Sequence, residues 1–152
     1  MKTTTDLFIR HFSFWPHLTE AQRAFLNDHT RPVRYGKGAA VQREMGDCLG
    51  VLLVKKGQLR AYALSEDGRD VTLHRFGPDE VSVMTATCSL EAVTFRVFID
   101  AVEDTEALLT DAEAFRRLAE ENIYVRCFGY ERAATSLSEM LWQFQQVLFL
   151  SV

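Results

Sequence analysis

The chain has 152 residues, 47% of them apolar and 25% charged, with a formal net charge of −4. That supplies one hydrophobic core without disulfides or metals, and it excludes a disordered segment, a basic nucleic-acid footprint and an anionic-membrane patch. Met1-Lys2-Thr3-Thr4-Thr5-Asp6 lacks the apolar stretch of a signal peptide, no uncharged apolar run reaches the roughly 20 residues of a membrane span, and the three scattered cysteines, Cys48, Cys88 and Cys127, fit the reduced thiols of a cytoplasmic protein.

Three zones follow in chain order: 1–30, 31–110 and 111–152. The first reads as a helical lead-in. A helix over Leu7–Phe14 is ended by Pro16, and Thr19-Glu20-Ala21-Gln22 forms a capping box ahead of an apolar face of Ala21, Ala24, Phe25 and Leu26. The second zone changes period to short β-rich runs: Val33–Tyr35, Ala40–Arg43, Leu49–Lys55, Gln58–Leu64, Val71–Phe76, Val81–Met84, Thr94–Ala101 and Glu106–Thr110. Glycine-bearing turns such as Gly36-Lys37-Gly38, Lys56-Gly57 and Gly77-Pro78-Asp79 separate them. This spacing predicts an antiparallel sandwich or barrel, with its firmest hairpin at Glu66-Asp67-Gly68. In the third zone Thr110-Asp111-Ala112-Glu113 reads as a second capping box, opening a helix through Glu121. Asn122 then breaks the chain before a long helix.

That last helix carries the clearest pattern. Ile123, Cys127, Tyr130, Ala134, Leu137, Leu141, Phe144 and Leu148 are spaced alternately four and three apart. A repeat of 3.5 keeps one apolar seam on one side of a helix and asks for a partner helix. The rod is about 40 Å long, more than a small domain can cover, so a second copy of the same helix is the simplest cover. The chain closes on Val147-Leu148-Phe149-Leu150-Ser151-Val152, an apolar run with no capping glycine. It reads as a chain cut at a domain boundary.

The layout resembles the sensor half of Crp/Fnr transcription regulators. The residues that carry the resemblance are Tyr35-Gly36-Lys37-Gly38, Gly46-Asp47, Val54-Lys55-Lys56-Gly57-Gln58-Leu59-Arg60 and the hairpin Ser65-Glu66-Asp67-Gly68-Arg69-Asp70-Val71-Thr72-Leu73. The resemblance implies an α+β fold: an antiparallel, jelly-roll-like β-roll with flanking N-terminal helices and a long C-terminal dimerisation helix. It also implies a homodimer, a small-molecule effector, and DNA contact only through a helix-turn-helix domain beyond Val152.

In cyclic-nucleotide-binding members of that family, a Gly-Glu pair holds the ribose and an Arg-Ser/Thr pair the cyclic phosphate. The matching stretch here, Val81–Leu90, has no glycine. Met84 stands at the Glu position and Phe95 at the Arg position, with Arg96 one place along and therefore on the opposite face of a strand. Cyclic AMP is disfavoured and no other cofactor is indicated. The expected effector pocket comprises Arg60, Tyr62, Met84, Thr85, Thr87, Cys88, Ser89, Phe95 and Arg96, with Ser136, Ser138 and Met140 as lids from the long helix. Trp142 and Phe144 are assigned to packing, and Cys88 and Cys127 to ordinary thiols. His11, His17, His29 and His74 show no metal-ligand spacing. A cupin-type metal enzyme is thus a weak alternative, as is haem ligation by His74. A ligand-free dimerisation module is the third reading, and no catalytic motif is present.

Overall fold

A computed structural model describes residues 3–42, 49–83 and 98–150. Helix α1 (Thr4–His11) is capped by Thr3, whose hydroxyl accepts from the Asp6 N–H while the Asp6 carboxylate accepts from the Thr3 N–H, both at 3.1 Å. It starts and stops three residues earlier than the Leu7–Phe14 reading. Pro16 lies inside a 3-10 turn, Trp15–His17, where its fixed φ is accommodated. Helix α2 (Glu20–Asp28) begins at the expected Thr19–Gln22 capping box. Of its expected apolar face only Leu26 is buried and Phe25 half-buried; Ala21 and Ala24 face solvent.

Eight strands follow: β1 (Thr30–Tyr35), β2 (Ala40–Gln42), β3 (Gly50–Lys56), β4 (Leu59–Leu64), β5 (Asp70–Phe76), β6 (Val81–Ser82), β7 (Phe98–Ala101) and β8 (Thr105–Asp111). They form two four-stranded antiparallel sheets, ordered β1-β8-β3-β6 and β2-β7-β4-β5. This is the expected β-roll. Helix α3 (Ala112–Glu121) leads through Asn122 to α4 (Ile123–Leu150). The Thr110 capping box does not form: Thr110 belongs to β8, its hydroxyl lies 2.8 Å from that of Thr30, and Asp111 is the N-cap without a side-chain bond.

Two hydrophobic cores share strand β3, because its apolar run buries both faces. Leu52 and Val54 point between the sheets with Leu59, Ala61, Leu73, Phe76, Ile99 and Leu109. Val51 and Leu53 point the other way, into a helical core of Phe8, Phe12, Phe14, Leu26, Phe115, Leu118, Val125 and Phe128. In that second core the Phe12 and Phe128 rings meet edge-on at 5.6 Å, and Phe14 and Phe128 at 5.1 Å. Such pairs add to simple area burial, and here they fix the first turns of α4 against the lead-in helices.

Gly129, the single glycine of α4, marks the α3–α4 crossing. A Cβ there would approach the Phe115 ring to 3.2 Å. Further along, Met140 is 6% exposed and joins the inter-sheet core, so α4 packs against one side of the roll.

Candidate functional site

Of the expected pocket residues, only Arg60 and Tyr62 fall among the described ones; Met84, Thr85, Thr87, Cys88, Ser89, Phe95 and Arg96 lie outside them. Arg60 and Tyr62 alternate with buried Leu59 and Ala61 along β4, so they occupy the other face of that strand. The Arg60 guanidinium donates to Asp70 at 3.2 and 3.4 Å and to the Thr72 hydroxyl at 3.2 Å, and it sits 4.4 Å over the Tyr62 ring. Tyr62 stacks in turn on Phe98 at 5.5 Å. Burial raises the Tyr62 phenol above its ordinary value, and the Asp100 carboxylate raises it further. Asp70 and Thr72 thus engage three of the five N–H donors of Arg60 and hold its guanidinium in place.

The lid residues separate. Met140 is buried, Ser136 is half-buried at a cavity beneath α4, and Ser138 is exposed. That cavity, about 170 Å³, holds a polar cluster that the sequence reading missed: His11 of α1, His74 of β5, Asp79 and Glu80 of the β5–β6 turn, and Glu139 of α4. Local spacing could not reveal it, since the five residues come from four separate segments. Among the described residues, no group of three or more His, Cys, Asp or Glu side chains is arranged to hold a metal.

The seam residues do come together. Ile123, Cys127, Tyr130, Ala134, Leu137, Leu141, Phe144 and Leu148 are all exposed, Tyr130 at 56%, Leu141 at 54% and Leu148 at 65%. The opposite stripe of α4 (Val125, Phe128 and Met140) is buried on the chain's own domain. The seam is thus an exposed apolar line roughly 40 Å long, which isolated globular domains rarely present. Trp142 is exposed as well, at 57%.

A two-sheet antiparallel roll packed on one side by a long helix, with that helix exposed on its outer face, is the architecture to be matched. Residues 32–122 match the family model described as Cyclic nucleotide-binding domain. A protein assigned to the Crp/Fnr transcriptional regulators from Eubacterium rectale superposes with a TM-score of 0.86 at 32% identity, covering 91% of this chain and 64% of that one. This chain therefore spans under two thirds of that relative's length. The sensor domain of the transcriptional regulator DNR from Pseudomonas aeruginosa shares the fold at a TM-score of 0.69 and 19% identity, with 90% of each chain covered. The CO-dependent transcription factor CooA from Carboxydothermus hydrogenoformans matches at a TM-score of 0.59 and 25% identity, over 86% of this chain and 53% of that one. No curated protein matches. The chain belongs to the cyclic nucleotide-binding domain family, and these three solved structures are of transcription regulators. Among the described residues, no helix is long and apolar enough to cross a membrane.

Proposed function

We propose that this chain is the effector-sensing and dimerisation part of a cytoplasmic Crp/Fnr-type transcription regulator, with DNA contacts made by a helix-turn-helix domain beyond Val152. The observation that carries the reading is the exposed eight-residue seam of α4 on a β-roll of this family. Two copies pair through α4. An effector in the roll shifts the packing of Met140 and its neighbours, and so biases how the paired helices lie. The fold alone does not name the effector, because one scaffold hosts many ligands.

The effector differs from a cyclic nucleotide. Met84 and Phe95 replace the two groups that would hold ribose and phosphate. Each such charge-assisted bond is worth about 1.5–3 kcal/mol. Losing two lowers affinity on the order of 10²–10⁴-fold. Calorimetric titration with cyclic AMP and cyclic GMP tests this, with no saturable heat expected. Binding tighter than about 10 μM, a free energy near −7 kcal/mol, would show that Arg96 or another cation restores the site and would overturn this part of the reading.

A further inference from the structure

The polar cluster under α4 is assembled from parts that have no local reason to meet. Glu139 Oε2 lies 2.8 Å from His74 Nδ1, and Glu80 Oε2 lies 3.4 Å from the other ring nitrogen, Nε2. One imidazole is therefore held between a carboxylate of the roll and a carboxylate of the long helix. Beside it, His11 Nε2 is buried and makes no directed hydrogen bond, yet stands 3.2 Å from Asp79 Oδ1. The turn that presents both roll carboxylates is pinned to β3. The Asp79 N–H donates to the Val54 carbonyl at 2.9 Å, and the Glu80 carbonyl accepts from the Val54 N–H at 3.0 Å. Asp79 holds φ at 68°, a conformation that Asp tolerates better than most residues.

A neutral imidazole carries one N–H, so it can serve only one of two flanking carboxylates, and its bare nitrogen then faces the other carboxylate's lone pairs. An imidazolium carries two N–H groups and a positive charge that attracts both. Facing the cluster are Arg132 and Glu139 from α4, Asp79 and Glu80 from the turn, and Arg10 and His11 from α1. Strand β4 places the uncharged Ala61 opposite His74, and the Phe76 ring packs on the imidazole at 4.5 Å. Three carboxylates against two guanidiniums leave the cluster one negative charge while both imidazoles are neutral, and one proton balances it.

We propose that His74 is a proton-dependent latch between the β-roll and α4, closed when its imidazole is charged between Glu80 and Glu139 and loosened when it is neutral. The latch concerns how firmly the helix is held to its own roll, and it does not rest on the regulator reading above. Its sign follows from the charges: attraction is present in mild acid and lost as pH rises. Its size is limited, because both carboxylates are nearly half exposed and screened by water.

Hydrogen exchange on the whole chain, corrected for the intrinsic pH dependence of amide exchange, tests it. Between about pH 5.5 and about pH 8, which bracket the ordinary range of imidazole titration, protection of α4 amides around Glu139 should fall about two- to fivefold relative to β8 amides. His74→Gln and Glu139→Gln should each flatten that dependence while leaving β8 protected. A wild-type ratio that does not move with pH would overturn the proposal, as would a fall that persists undiminished in either variant.

Discussion

Gly57 occupies the tight turn between β3 and β4 with φ at +95°, and a Cβ there would lie 2.4 Å from the Asp104 carbonyl oxygen and 2.6 Å from the Thr105 Cα. Both conditions demand glycine, since the conformation is strained for any side chain and the space belongs to the backbone of the 103–105 turn. Thr105 completes the knot, its hydroxyl accepting from the Gln58 N–H at 3.2 Å. Gly57→Ala should therefore destabilise the domain by about 2–4 kcal/mol, read as a lower denaturation midpoint with an unchanged slope. An unchanged midpoint would show that the two turns separate at little cost. The Lys-Gly-Gln motif was legible in the sequence, but the partner that enforces it, some 47 residues away, was not.

At the scale of elements, Asn122 joins three helices. Its Oδ1 accepts from the Tyr124 N–H at 2.9 Å, capping the start of α4, while its Nδ2 donates to the His17 carbonyl at 3.0 Å and to Gln22 Oε1 at 3.2 Å. The sequence marked it as a break between helices; the structure adds that the break is bolted to the lead-in. Asn122→Ala should cost about 1–2 kcal/mol, the range of a lost cap plus lost bonds. Thermal denaturation checks this, and an unaltered midpoint would mean that the aromatic packing of Phe12, Phe14 and Phe128 alone sets the joint. Where local signals and long-range partners agreed, as at the Thr19 box, the Asp67-Gly68 hairpin and the Asn122 break, elements were readable. Where a distant partner claimed the group, they were not. Thr110 gives its hydroxyl to Thr30 across the sheet instead of capping α3, and Pro16 is absorbed by a 3-10 turn instead of ending a helix. The Arg60–Asp70–Thr72 fork and the His74 cluster escaped notice for the same reason, since strand register and helix docking create them.

The whole molecule divides α4 into two functions along its length and around its axis. One stripe, Val125, Phe128 and Met140, is buried in the chain's own cores, and the other, from Ile123 to Leu148, is exposed. That division was half legible. The heptad spacing identified the exposed stripe from sequence, whereas the buried one depends on how α3 and the roll receive the helix at Gly129 and Met140. In the proposed reading a second α4 lies against this exposed seam, and pairing is what would let an event in one roll reach its partner. Sedimentation equilibrium of the purified chain at micromolar concentrations tests this most directly. The wild-type chain should sediment as a dimer, and the double variant Leu137→Glu with Leu141→Glu as a folded monomer. A monomeric wild type, or a variant that stays dimeric, would contradict it.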